Sequence, residues 1–171
     1  MCRAGWFSAI ALITFAPIVL GGEPRSIKPV IVLTGIDSRK ETSQVVRCST
    51  RDEWVAAWRS HAGDDAAKAK TMHEVDFTNY MLVAIFDGKS YANTGLSIHS
   101  VEEGESSIQL RYRRNSYQSD IFTTRDRSTQ SFMFVILPNS QKELIFERDT
   151  RRIIQAPPEW TEQSRLPTIK K

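Results

Sequence analysis

The chain has 171 residues, of which 25% are charged and 40% hydrophobic, with 23 basic residues set against 20 acidic ones. That length suits one domain with a single sizeable core. The basic residues are scattered, with pairs such as Arg113-Arg114 and Arg151-Arg152, which argues against nucleic acid as a partner, since that needs a clustered basic face.

Arg3 supplies a positive start, and Trp6 to Phe15 form an apolar run too short to span a bilayer, ended by Pro17. Val19 and Gly21 are tolerable ahead of a cleavage site. Residues 1–22 are therefore predicted to be a signal peptide, which makes the mature chain secreted or periplasmic, with no integral membrane span after cleavage. The site lacks the A-x-A form, so an uncleaved anchor is the alternative. Cys2 precedes the apolar run and so is not the acylated cysteine of a bacterial lipoprotein. Cleavage leaves Cys48 alone, so no internal disulfide is expected. At the end of Gln44-Val45-Val46-Arg47-Cys48, it reads as a small buried apolar residue rather than a functional thiol.

Residues 23–49 are expected to form an N-terminal strand segment. A linker-like entry from Pro24 to Pro29 leads to a strand at Val30 to Leu33, a polar turn from Gly35 to Thr42 and a second strand at Ser43 to Cys48. A helix should follow. Thr50 is its candidate N-cap and Glu53 sits at the capping-box spacing. Trp54, Val55 and Trp58 form its apolar stripe, and Gly63 ends it. A second short helix is expected over Ala66 to Met72. The pattern then turns to β. Leu82 to Phe86 is continuously apolar, as a central strand would be. Leu96 and Ile98 alternate with polar neighbours, as do Ile108, Leu110 and Tyr112, with a hairpin turn at Glu103-Gly104-Glu105. The polar segment Asn115 to Thr129 reads as a long loop. Phe132 to Leu137 is apolar on both faces, so central. Pro138-Asn139-Ser140 is a turn and Leu144 to Phe146 a last strand. Residues 50–154 thus form a β-rich domain, and 155–171 a proline-containing tail, extended and partly disordered, in which Trp160 can dock. The sum is α+β: a mainly antiparallel sheet or sandwich of about seven strands with one amphipathic helix packed at one end.

Chemistry is thinly signalled. His61, His73 and His99 show no ligand spacing, so no metal site and no cofactor are expected. No G-x-S-x-G elbow, P-loop or G-x-G-x-x-G is present. Asp76 reads as a turn or capping residue before a strand, and Asp87-Gly88 as a tight turn, rather than as a carboxylate pair. The stretch Asp87 to Gly95 displays Lys89, Tyr91, Asn93 and Thr94 between two strands, where a rigid sheet can present a binding loop.

From Trp54 to about Phe146 the chain resembles the C-terminal domain family of the protease complex subunit PrcB. The matching features are the helix Glu53-Trp54-Val55-Ala56-Ala57-Trp58 with His61, the V-D-F motif at Val75-Asp76-Phe77, and the apolar strand Met81 to Phe86 closed by Gly88. Thr94-Gly95, the alternating strands from Ile98 and Ile108, and Phe132 to Pro138 follow in order. Where the family reads T-G-G-Y, this chain has Thr94-Gly95-Leu96-Ser97, without the second glycine and the tyrosine. The resemblance implies an exported, non-catalytic interaction domain that stabilises or modulates a protease or another envelope protein. No catalytic residues are then expected. The expected contact residues are Asp87, Lys89, Tyr91, Asn93, Thr94 and Gly95, with Tyr91 as an aromatic anchor. Trp54, Trp58, Val75, Asp76, Phe77 and Gly88 are expected to be structural. Two alternatives stand beside this one. A small-ligand or glycan-binding module would use Tyr91, Tyr117 or Trp160, and a hydrolase would use dispersed Ser, His and Asp residues.

Overall fold

The computed structural model describes residues 23–63, 72–91, 93–116, 128–153 and 155–169, and leaves the side chains of Ile31, Val32 and Ser116 undescribed. The expected signal peptide, the expected helix over Ala66 to Met72 (all but Met72) and most of the segment Asn115 to Thr129 lie outside the described residues. Among the described residues the strands are β1 (Arg25–Ser26), β2 (Ile31–Gly35), β3 (Ser43–Cys48), β4 (Tyr80–Tyr91), β5 (Asn93–Glu103), β6 (Ser107–Ser116), β7 (Ser128–Pro138), β8 (Glu143–Asp149) and β9 (Trp160–Leu166), with one helix, α1 (Arg51–Ala62), between β3 and β4.

The strands form two sheets, ordered β2-β7-β4-β3 and β1-β5-β6-β8-β9. All pairings are antiparallel except β6 with β8, which is parallel because the chain visits the other sheet as β7 between them. The expected α+β class holds: one helix packs against a β sandwich.

The two central strands explain the layering. In β4, Met81, Val83 and Ile85 enter the core between the sheets, while Leu82, Ala84 and Phe86 enter a second core under α1. β7 divides the same way, with Met133, Val135 and Leu137 facing one core and Phe132, Phe134 and Ile136 the other. A strand covered on both faces needs apolar residues at every position, so the continuous apolar runs were read correctly as central strands. β6 and β8 are covered on one face and alternate. Ile108, Leu110, Tyr112, Leu144 and Phe146 point into the sandwich.

The helix begins and ends as its sequence signals. The Thr50 side chain accepts from the Glu53 amide at 3.3 Å, and Glu53 returns the bond to the Thr50 amide at 3.1 Å. Gly63, at φ 61, caps the other end and donates its N–H to the Arg59 carbonyl. Trp54 and Trp58 are buried and meet each other and Phe134 with ring centroids 5.0–5.5 Å apart. Trp54 also donates its indole N–H to the His73 carbonyl at 2.9 Å.

Three expectations need correction. The entry from Pro24 to Pro29 is not only a linker, since Arg25 and Ser26 pair with Glu103 and Glu102. The tail forms a strand: β9 pairs antiparallel with β8 along Trp160–Leu166. Its prolines, Pro157-Pro158 and Pro167, flank that strand instead of interrupting it. Trp160 docks on His99 at 4.8 Å and beneath the Arg111 guanidinium at 5.6 Å, and Leu166 packs on the core, which is apolar burial enough to hold the segment. Finally, Asp87 to Gly95 is not a loop, as the site itself makes clear.

Candidate functional site: a basic concavity at the strand crossing

β4 does not turn at Asp87-Gly88. It continues through Tyr91, pairing Lys89, Ser90 and Tyr91 with Gln130, Thr129 and Ser128 of β7. The register shifts between Phe86 and Gly88, so Asp87 is the extra residue of a β-bulge. Gly88 sits at φ 74, and a Cβ there would come within 2.8 Å of the Glu41 carbonyl oxygen and the Ser43 amide nitrogen. Glycine is required because β3's approach crowds it, not because the chain reverses. After Tyr91 the chain crosses from one sheet to the other and resumes as β5.

Side-chain bonds to backbone clamp this crossing. Asn93 is buried and accepts the Gly95 amide at 3.0 Å. Thr94 donates to the Asn115 carbonyl at 2.9 Å, and Thr129 to the Asn93 carbonyl at 3.1 Å. From β2, Thr34 accepts the Leu96 amide at 3.2 Å. Leu96, which follows Thr94-Gly95, is 1% exposed in the core and pairs with Arg114. Of the six expected contact residues, Asp87, Asn93 and Gly95 are buried and Thr94 is half-buried. Lys89 is exposed, and Tyr91 is 62% exposed.

The inward stripes of three strands end here in charge. Ile85 of β4 is followed in phase by Asp87, Tyr112 of β6 by Arg114, and Phe146 of β8 by Arg148. The Asp87 side chain is fully excluded from solvent. It accepts Arg114 Nε at 2.6 Å and Nη2 at 3.0 Å, Arg148 Nη1 at 3.1 Å and Asn93 Nδ2 at 3.0 Å. A two-pronged guanidinium–carboxylate pair of this kind is the strong, directional form of an ion pair. Beside it, Asp149 accepts Arg151 Nε at 2.9 Å and the amides of Arg151 and Glu159. Tyr112, pointing at this end from the core, has its hydroxyl pushed up to about 12. Burial is the main cause, with the Asp87 charge adding and the two nearby arginines opposing.

A concavity of about 420 Å³ opens between Tyr91 and Asn93 on one side and Arg114, Arg148, Asp149, Thr150 and Arg151 on the other. A second, of about 250 Å³, lies beside α1 between Arg51, Trp54, Met72, His73, Glu74, Val75 and Phe77. The first is the candidate site because it is larger and its charged groups converge from three strands. The V-D-F residues Val75-Asp76-Phe77 border the second. Asp76 accepts the Thr78 amide at 2.9 Å and the Asn79 side chain at 2.8 Å, as a residue that sets up a strand does. Those bonds, Asn79's first, hold its carboxyl below the usual range. Val75 and Phe77 are half-buried at the margin of the outer core. Asp76 lies in the turn that precedes β4 and Asp87 at the bulge within it, and the two form no pair.

The histidines are dispersed. His61 packs on Phe132 with centroids 4.1 Å apart, His73 is exposed, and His99 stacks on Trp160. Among the described residues no group of three or more His, Cys, Asp or Glu could hold a metal ion, and no helix is long and apolar enough to cross a membrane. Tyr117 lies outside the described residues. Cys48 is fully buried, and its thiol is pushed up to about 12 by burial and then by Glu53. Comparison with known proteins finds no matching family model, no matching curated protein and no matching solved structure.

Arg114, Arg148, Asp149 and Arg151 were not singled out from the sequence as site residues. A signal for two of them was present: Arg114 and Arg148 continue apolar, inward-facing stripes, and an arginine in that phase needs a buried acceptor.

Proposed function

We propose that this chain is an exported, non-catalytic interaction domain that engages a protein of the cell envelope, a protease being the class its PrcB-like features suggest. Its contact surface is the crossing of β4 into β5, with Tyr91 as the aromatic anchor and the arginine-lined concavity beside it. The observation that carries this reading is a 62% exposed tyrosine standing next to converging arginines on backbone clamped from several strands. Tyrosine and arginine are the residue types that dominate binding energy at interfaces, and a rigid platform lowers the ordering cost of association. The carboxylates of the concavity are committed to arginines: Asp87 is bonded by Arg114, Arg148 and Asn93, and Asp149 by Arg151. That suits holding a partner better than transferring a proton.

The experiment is recovery of partners from native envelope extract with the wild-type chain, Tyr91→Ala and Lys89→Ala as baits. Both side chains are exposed, so both variants should fold. Loss of a specific partner with Tyr91→Ala is the expected result. Recovery unchanged in both variants would remove this surface from consideration. Asn93→Ala is a poor probe, because Asn93 is buried and bonds Asp87 and Gly95.

A further inference from the structure

We infer that the concavity recognises a single carboxylate, carried by an aspartate or glutamate in an extended acidic segment of the partner. This deepens the proposed function and rests on it. Three guanidiniums, of Arg114, Arg148 and Arg151, meet two carboxylates, of Asp87 and Asp149. Among the described residues one positive charge is left over. The carboxylates are hidden, at 0% and 3% side-chain exposure, whereas the arginines keep 39%, 19% and 23%. The face turned to solvent is therefore the cationic one. Arg148 gives one Nη1 bond to Asp87 and meets no second side-chain acceptor among the described residues, so its remaining donors can turn to an incoming anion.

The arginines are already immobilised by Asp87 and Asp149, so binding an anion does not have to order them. Guanidiniums suit the planar, two-oxygen geometry of a carboxylate. A single negative charge matches the one in excess. A dianionic phosphate would overshoot it and meet the field of the two buried carboxylates at close range. At about 420 Å³ the space admits a side chain and not a folded domain. Tyr91 on its rim offers a surface for the flanking peptide. Asp87 acts here as a positioning residue that holds Arg114 and Arg148, with Asn93 holding Asp87 in turn.

The test is NMR titration of the full ¹⁵N-labelled chain, read at the arginine Nε–Hε signals. The probes are N-acetyl-Ala-Ala-Glu-Ala-Ala-amide, its Gln counterpart, sodium acetate and inorganic phosphate. Saturable shifts at Arg148 and Arg151 with the Glu peptide, and none with the Gln peptide, are expected. Arg151→Gln should weaken Glu-peptide binding about tenfold, the loss of one charge-assisted contact, with backbone amide dispersion serving to check its fold. No shift, or equal shifts with the Gln peptide, overturns the inference whatever the variant does. Equal affinity for acetate overturns the peptide assignment, and tighter binding of phosphate overturns the carboxylate. Partner recovery that depends on Tyr91 while the Glu peptide fails to bind would sink this inference and leave the proposed function standing. Glu-peptide binding without Tyr91-dependent recovery would do the reverse.

Discussion

Asp87 concentrates the chemistry of this fold at one residue. Its carboxylate is wholly buried and faces two arginines, one of them 39% exposed. Asp87→Asn keeps the shape and removes the charge, which leaves two guanidiniums crowded around a neutral amide. Breaking a fully buried pair costs about 3–5 kcal/mol, and solvent reaching Arg114 reduces this, so about 2–3 kcal/mol is expected from denaturant unfolding. Arg165→Gln, which removes exposed pairs with Glu162 and Glu143, should cost clearly less, because solvent screens such pairs. Equal effects for the two would mean that the buried cluster is not an energetic unit. Gly88 makes the second residue-scale prediction. At φ 74, with backbone atoms 2.8 Å from a would-be Cβ, Gly88→Ala adds left-handed strain of about 1–2 kcal/mol and a clash with β3. Gly104→Ala, with nothing nearer than 3.6 Å and an ordinary φ, should be close to neutral. Thermal unfolding of the pair separates a bulge glycine from a turn glycine.

Among the elements, α1 was the most legible, because its capping box and tryptophan stripe are local signals that its tertiary packing repeats. Thr50→Ala removes the acceptor for the Glu53 amide and should cost about 1 kcal/mol. Trp54→Ala empties a site that is 2% exposed and packed against Trp58 and Phe134, and should cost about 3–5 kcal/mol. Both are readable as shifts in denaturant midpoint, and a Thr50→Ala cost matching that of Trp54→Ala would contradict the view that packing, not capping, dominates the helix. β4 and β7 were legible as central strands from their unbroken apolar runs. The length of β4 was not. Asp-Gly has the same composition in a tight turn and in a bulge, and only the neighbouring strand, through the Glu41 carbonyl that accepts the Lys89 amide at 2.8 Å, decides between them. β9 was hidden because its stability comes from distant contacts to β8, His99 and Arg111. The site shared that problem. Its charges lie on β4, β6 and β8, which no local window brings together, although the in-phase arginines marked two of its members.

At the scale of the whole molecule, the core holds two acids in their neutral form, and this ties global stability to alkaline pH. Cys48 is raised from 9.0 to about 12 and Tyr112 from 10.0 to about 12, both chiefly by burial. Each keeps its proton in the folded state at pH values where the unfolded chain has released it. The folded state then binds more protons than the unfolded one, and stability falls as pH rises. The contribution of Cys48 is intact below about pH 9 and that of Tyr112 below about pH 10, and both are spent near pH 12. A displacement of two pH units is worth about 2–3 kcal/mol for Tyr112. Unfolding free energy measured by denaturant titration from pH 8 to 12 should therefore decline in two overlapping stages. Tyr112→Phe should remove the later stage and Cys48→Ala the earlier one, each after allowance for its offset at pH 8. In the folded wild-type chain, tyrosinate absorbance should include one ring that ionises only as unfolding begins, and Tyr112→Phe should abolish that late step alone. A stability curve with the same slope in wild type and in Tyr112→Phe would show that water reaches the Tyr112 hydroxyl, and its burial at the end of the core beside Asp87 and Arg148 would have to be abandoned.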